Sequence, residues 1–108
     1  MVSRQQEGKN DSKNYNAPMP NGTGPVTTSV FIQNNAFNPD TLKIKTGTNV
    51  TWVNMDGVQT VTEVNGLFNS GTLGNGLTFH YLFQTPGTFR YHSTLQTSIK
   101  DGVVIVSN

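Results

Sequence analysis

From Val26 onward, turn-forming residues recur so often that no long regular element fits between them. Stretches rich in β-branched residues, such as VTTSVFIQ and NVTWVN, alternate with segments rich in Gly, Asn or Pro, such as NNAFNPD and LFNSGTLGNG. Short strands with turn signals at intervals of roughly 8–12 residues indicate a β-sandwich or a β-barrel. The sequence therefore predicts an all-β domain with no helix of any length.

The composition supports this prediction. Thr, Asn, Gly and Val dominate, whereas good helix formers are scarce, since the chain has only two Ala and two Glu. β-Branched side chains pack well on a pleated sheet, and Asn and Gly favour turns. With 108 residues, of which 33% are hydrophobic, the chain is long enough for one domain with a single modest core.

Residues 1–25 differ in composition from the rest of the chain. This segment, MVSRQQEGKNDSKNYNAPMPNGTGP, is mostly polar and contains three prolines. It cannot bury enough apolar surface to offset the entropy that is lost on ordering. We predict a flexible polar linker or stalk over residues 1–25 and a β domain over residues 26–108. The alternative is a first strand within the linker.

Charge and cysteine content narrow the possible functions. The predicted domain carries four basic and four acidic side chains, so it has no electrostatic footprint for nucleic acid or for an anionic membrane. The chain has no cysteine, which excludes disulfides, thiolate metal sites and cysteine nucleophiles. No apolar run approaches the ~20 residues of a membrane span, and no apolar signal segment precedes the linker. We expect no nucleic-acid partner and no membrane insertion.

Four motifs follow one another in a fixed order between about Val30 and Val106. They are AFNPDTLKIKTGTNVTWVNMD, QTVTEVNGLFNSGTL, FHYLFQTPGTFRYHSTLQTSI and KDGVVIV. In this order and spacing they resemble the cupredoxins, the small blue copper proteins, and most closely the plastocyanin and amicyanin group. The resemblance implies a Greek-key β-sandwich of about eight strands, with a copper site near one end.

The resemblance also indicates where the copper ligands would lie. The family uses a His from an H-T-V-T segment, followed by Cys, His and Met from the loop before the last strand. These positions hold Gln59, Ser93, Gln96 and Ile99 in this chain, so all four ligands are substituted. A blue site takes two imidazoles, a thiolate and a weak axial thioether. Two amides, a hydroxyl and an alkyl group suit copper poorly, so we expect no copper, no other cofactor and no electron transfer.

Each of the four replacements roughly conserves volume and removes a metal-coordinating group. We interpret the set as deliberate removal of a metal site from a cupredoxin scaffold. The alternative is a natural copper-free relative that binds a protein or a small ligand. We also expect Gln59, Ser93 and Gln96 to form a small polar pocket in which they hydrogen-bond one another.

The resemblance implies a function for the parent family. That function is electron transfer between redox partner proteins outside the cytoplasm, either in the periplasm, in the extracellular space or on a membrane anchor. Docking would use an apolar patch near Gly57, Gly74 and Gln96. We expect a monomer, with any signal or anchor lying outside this sequence.

Other residues that could bind a metal or react are interpreted as structural. His80 lies on the solvent-facing side of the LTFHYLF strand, and Trp52 is expected to pack in the core. His92 and Ser93 are adjacent on a strand and point to opposite faces, so they are not expected to act as a base and a nucleophile. We therefore predict that the protein is not an enzyme.

Overall fold

The computed structural model describes residues 26–108, so the predicted linker lies outside the described residues. These residues form eight strands: β1 (Val26–Gln33), β2 (Ala36–Asn38), β3 (Thr41–Lys45), β4 (Thr48–Asn54), β5 (Thr62–Glu63), β6 (Thr78–Phe83), β7 (Gly87–His92) and β8 (Gly102–Ser107). None of these residues forms a helix that could cross a membrane. The all-β prediction is confirmed.

The strands form two four-stranded sheets. The first sheet has the order β2-β1-β4-β6, and the second has the order β3-β8-β7-β5. β1 runs parallel to β4 and β3 parallel to β8, whereas the other neighbours are antiparallel. The chain changes sheet at every connection from β2–β3 to β6–β7, and the two sheets form the sandwich of about eight strands that was predicted.

The core lies between the two sheets and is mainly aromatic. β4 supplies its centre, because this strand alternates between buried and half-buried residues along its whole length. Trp52 of β4 meets Tyr91 of β7 edge to face, with ring centroids 5.3 Å apart. The rings of Phe68, Phe79 and Phe83 lie within 6.4 Å of the Trp52 ring. Trp52 is therefore a core residue, as predicted.

A two-residue turn fixes the register of β1 and β2. Asn34 and Asn35 both have positive φ, at 55° and 58°. Two such residues in succession form a type I′ turn, whose twist matches that of an antiparallel pair and which Asn tolerates better than most residues. The N–H of Asn35 donates to Asp56 Oδ2 at 2.8 Å, which ties the turn to the segment after β4.

The strand register defines two ends of the sandwich. One end, called here the loop end, holds the segments that follow β4 and β7. The other, called the turn end, holds the turn over residues 84–86 that joins β6 of the first sheet to β7 of the second. At the turn end Val26, Thr48 and Phe83 lie side by side on neighbouring strands.

Candidate functional site

Three of the four predicted ligand positions are buried at the loop end. Gln59 and Ser93 are each 1% exposed, and Ile99 is 3% exposed. Gln59 lies in the connection between β4 and β5, where its backbone exchanges two hydrogen bonds with Leu73, at 2.9 and 2.7 Å. Ser93 follows β7 directly, and Ile99 precedes β8. Ser93 and Ile99 both line a cavity of about 210 Å³.

The side chains of Gln59 and Ser93 bond to each other. Ser93 Oγ donates to Gln59 Oε1 at 3.0 Å. The same oxygen accepts from the backbone N–H of Thr60 at 3.1 Å, and from those of Leu95 and Gln96 at 3.3 Å each. A hydroxyl has one proton to donate and two lone pairs to accept with. The hydrogen-bonding capacity of Ser93 is therefore fully used within the protein.

The Gln59 amide is held at both ends. Its Oε1 accepts from Ser93, and its Nε2 donates to the backbone carbonyl of Asp56 at 2.9 Å. Burial makes these bonds important, since an unpaired buried amide group costs about 1–3 kcal/mol. The amide is thus fixed as part of the structure, and it does not project into an open site.

Gln96 departs from the expectation that it would share a polar pocket with Gln59 and Ser93. Its side chain is exposed, and only its backbone N–H reaches Ser93 Oγ. The reason is local geometry: residues 94–98 form an exposed loop in which the backbone N–H groups of Leu95 and Gln96 point toward Ser93. The polar cluster consists of Gln59 and Ser93 together with backbone groups.

Asn54 organises the loop end, and the sequence analysis missed it. It is the fully buried last residue of β4. Its Nδ2 donates to three carbonyls, those of Gly57 at 2.8 Å, Leu73 at 2.9 Å and Gly74 at 3.1 Å. Its Oδ1 accepts from the N–H of Asp56 at 3.0 Å. In NVTWVN, every second residue points to the same face of the strand, and Asn54 lies on the same face as Trp52. This alternation could have identified Asn54 as buried.

A second group of hydroxyls connects the last loop to the strand before it. Thr60 Oγ1 accepts from the N–H of Thr94 at 2.8 Å. It also lies 3.0 Å from Thr62 Oγ1 and 3.2 Å from Thr94 Oγ1. Together with the Ser93 bonds, these contacts join the 93–99 loop to the segment around Gln59 at several points.

Tyr91 lies directly beneath this site and is fully buried. Burial raises the pKa of its phenol to about 12, and the nearby Trp52 indole opposes the shift only in part. Within residues 26–108, neither the Tyr91 hydroxyl nor Trp52 Nε1 has a hydrogen-bond partner of good geometry. The phenol lies against Gly102 of β8, so closely that a Cβ at that position would overlap it.

The two histidines do not form a metal site with other residues. His80 is exposed in the middle of β6, as expected. His92 is half-buried and lines the 210 Å³ cavity with Thr97 and Asp101. Residues 26–108 contain no group of three or more His, Cys, Asp or Glu side chains that could hold a metal ion.

The loop end also exposes several large apolar side chains, called here the apolar patch: Met55, Val58, Leu77 and Leu95, each 50–55% exposed. These residues lie in the connections after β4, before β6 and after β7. The charged side chains in these segments are Asp56, whose carboxylate accepts a hydrogen bond from the N–H of Asn35, and Lys100 and Asp101 just before β8. Asp101 lies in the cavity beside Ser93 and Ile99, and the apolar patch itself contains no charged side chain.

The sandwich has a solved relative. A purple cupredoxin from Nitrosopumilus maritimus is 30% identical, with a TM-score of 0.67, and the match covers 74% of this chain and 99% of that one. The chain belongs to the cupredoxins. No family model and no curated protein sequence matches it, so the relationship is carried by structure and by the motifs quoted above.

Two further solved structures share this cupredoxin fold. The Cu-containing nitrite reductase NirK from Thermus scotoductus SA-01 is 26% identical with a TM-score of 0.68, but the match covers only 22% of that longer chain and 78% of this one. A reduced amicyanin mutant is 22% identical with a TM-score of 0.70, and the match covers 81% of this chain and 88% of that one. At that identity, amicyanin shows the fold alone.

The residues of this cupredoxin do not fit a blue copper ion. Such an ion needs a thiolate and two imidazoles in one plane. The chain has no cysteine, and the Ser93 hydroxyl and the Gln59 amide already bond to each other. Ile99 offers an alkyl group that cannot coordinate. The donor set and its hydrogen bonding both disagree with the family's usual cofactor.

Proposed function

We propose that this chain is a cupredoxin scaffold whose type 1 copper site is emptied, so that it neither transfers electrons nor catalyses a reaction as it stands. The observation that carries the proposal is the 3.0 Å hydrogen bond between Ser93 and Gln59. The two side chains that would face a metal are bonded to each other, and three backbone N–H groups complete the bonding of Ser93.

The pattern of the substitutions supports deliberate removal of the site from a parent cupredoxin. Gln is close to His in size, Ser to Cys and Ile to Met, and all four changes fall on ligand positions. The buried position of Ile99 fits this origin, since an alkyl side chain fills the space of the family's thioether. The parent protein would carry electrons between redox partners outside the cytoplasm.

A second candidate function is a copper-free binding module. The apolar patch favours it, because four large apolar side chains at one end of a small domain form the kind of surface that marks interaction sites. The partner would be a protein with a neutral apolar surface. Its binding would depend on the loop end and not on any metal.

A copper titration of two proteins tests the first proposal. One is the chain with its present sequence, called here the unsubstituted chain, and the other is a quadruple revertant. The revertant carries Gln59→His, Ser93→Cys, Gln96→His and Ile99→Met. We expect the unsubstituted chain to retain no copper after desalting and the revertant to bind one Cu(II) with an intense visible band. A matched triple revertant that keeps Ser93 should lack that band, because the thiolate produces it.

Two results would contradict the proposal. One is stoichiometric copper with an intense band in the unsubstituted chain. The other is a folded quadruple revertant that stays colourless with copper.

The binding-module candidate has its own test. A partner should bind the unsubstituted chain in the presence of a chelator. The partner should lose affinity for the Leu95→Asp variant, which changes the apolar patch, and keep its affinity for the Leu82→Asp variant, which changes the outer face of β6.

A further inference from the structure

The turn end holds a groove of about 410 Å³ whose lining includes no charged side chain. Tyr81, Phe83 and Phe89 supply aromatic rings to this groove, and Leu67 and Pro86 add aliphatic surface. Leu67 is 48% exposed, so part of the apolar lining faces solvent. Exposed apolar surface in a concave site is typical of places where a peptide or a ligand binds.

The chain enters the domain beside this groove. Val26, the first residue of β1, pairs with Thr48 of β4, and Thr48 pairs with Phe83 of β6. Neighbouring strands lie about 4.8 Å apart, so about 10 Å separates the start of β1 from the end of β6 that lines the groove. Residues 1–25 therefore join the domain within reach of the groove.

The part of residues 1–25 that lies nearest to β1 in sequence matches the groove in chemistry. Residues 14–25, NYNAPMPNGTGP, contain no charged side chain, whereas the charged residues of this segment all lie within residues 1–13. Residues 15–20, YNAPMP, called here the proline segment, combine a tyrosine, a methionine and two prolines. Proline-rich peptides bind in grooves lined by aromatic rings, because their backbone is already restricted and loses little entropy on binding.

The connection between the proline segment and β1 is long enough for docking. Pro20 lies six residues before Val26, and an extended chain covers about 3.3 Å per residue, so the connection can span about 20 Å. This length is about twice the separation between the start of β1 and the end of β6. Asn21 and Gly22 form a turn signal, which lets the chain change direction across the end of β4.

We propose that the proline segment docks in the groove of its own chain, so that Met19 and the prolines on either side of it lie against the aromatic rings. Tethering favours this occupant over a free peptide of equal affinity, because a short linker gives the segment an effective concentration in the millimolar range. Docking covers the exposed apolar lining of the groove. It leaves residues 1–13, which carry all the charges of the segment, to act as the predicted linker.

NMR spectroscopy of the full chain tests the proposal through the Met19 methyl group. We expect its signal to lie upfield of its position in the urea-unfolded chain and to show NOE contacts with the ring of Phe83 or Phe89, because aromatic rings shift the signals of groups that pack on their faces. Leu67→Asp, which places a charge in the groove, should return the methyl signal to its unfolded position. Leu95→Asp is the matched control, since Leu95 is similarly exposed but lies in the apolar patch at the loop end.

A second variant guards against an effect of Leu67→Asp on folding. Replacing Pro18 and Pro20 together by glycine changes only residues that precede the β domain, and it increases the entropy that the segment loses on docking. We expect this double variant to reduce the docked fraction severalfold, which is measured as a smaller upfield shift of the Met19 methyl signal.

Several results would overturn the proposal. One is a Met19 methyl signal that stays at its unfolded position in the unsubstituted chain. Another is an upfield shift that is unchanged in the double glycine variant or in folded Leu67→Asp. A shift that is lost in Leu95→Asp would place the segment on the apolar patch. A shift that disappears on dilution would place it on a second copy of the chain.

Discussion

The two ends of strand β7 are completed in opposite ways. At the loop end, Ser93 comes directly after the strand. Its hydroxyl makes all its hydrogen bonds to Gln59 and to backbone N–H groups. At the turn end, the first residues of β7 border a groove of about 410 Å³. Tyr81 and Phe83 of the first sheet and Phe89 of the second sheet line it, together with Leu67 from the loop after β5. The polar side chains at the loop end are bonded to each other and to the backbone, whereas the groove at the turn end is lined by large apolar side chains.

This difference follows from what each end buries. Polar groups that leave water must find partners, or they cost about 1–3 kcal/mol each. The loop end therefore needs a complete set of bonds, because the buried polar side chains of Gln59 and Ser93 lie there. The apolar groove has no such requirement, because unfilled space beside aromatic rings leaves no polar group unpaired. Substitutions that break the packing or hydrogen bonds of buried groups at the loop end should consequently cost more than substitutions in the groove at the turn end.

The largest expected effect comes from Gly102→Ala, which would disrupt the packed end directly. A Cβ there would overlap the Tyr91 phenol, and that ring cannot move easily because it packs against Trp52 and Phe37. We expect a loss of about 3 kcal/mol in the free energy of unfolding, typical of severe overpacking. Denaturant unfolding measures it.

Gly74→Ala is the matched control for this substitution. Gly74 also lies at the loop end, and a Cβ there would meet only Leu77 Cδ1, at 3.8 Å. The free energy of unfolding should change by no more than about 0.5 kcal/mol. Equal denaturation midpoints for the two alanine variants would show that the Tyr91–Gly102 contact is not tight.

The next effect is an alkaline loss of stability caused by Tyr91. Burial raises its folded-state pKa from 10.0 to about 12, so the unfolded chain releases the phenol proton first as pH rises. The stabilisation is fully present below about pH 10 and is lost between about pH 10 and 12, by roughly 2.7 kcal/mol in total. Unfolding measured across this pH range should show the decline. Tyr91→Phe should remove it.

A smaller effect is expected from Ser93→Ala. The substitution leaves Gln59 Oε1 and the buried backbone N–H of Thr60 without their partner, together with the partly buried N–H groups of Leu95 and Gln96. We expect a loss of about 2 kcal/mol in the free energy of unfolding. Thr88→Ala, at an exposed groove residue, should change it by no more than about 0.5 kcal/mol. If the two variants are equally stable, the contrast between the hydrogen-bonded loop end and the groove at the turn end is wrong.

The sequence predicted the fold because its signals are local. The NVTWVN alternation and the turn residues each indicate the local structure of the segment in which they lie. The order of the four motifs indicates how those segments are arranged in the fold. The site was harder to predict, because Ser93 and Gln59 are 34 residues apart and their bond depends on how two loops meet. No local pattern could show that Gln96 turns its backbone, and not its side chain, toward Ser93.

β6 shows how alternation can predict a face without predicting burial. The pattern of LTFHYLF placed Leu77, Phe79, Tyr81 and Phe83 on one side. In the structure only Phe83 is fully buried, while Leu77 is 55% exposed. The strand lies at a sheet edge, where the opposing sheet covers only part of the inward face. Position in the sheet is set by distant strands and is not visible within the segment.

The position of β8 has a consequence for how the protein is made. β8 lies between β3 and β7, and it pairs with both. The first sheet has all of its strands once Phe83 has been synthesised, but the second cannot close until residues 102–107 leave the ribosome. Until then, β3 and β7 lack the strand that joins them, and the apolar face of the first sheet is only partly covered. Folding of the sandwich must therefore follow synthesis of β8, and the nascent chain exposes apolar surface during that interval.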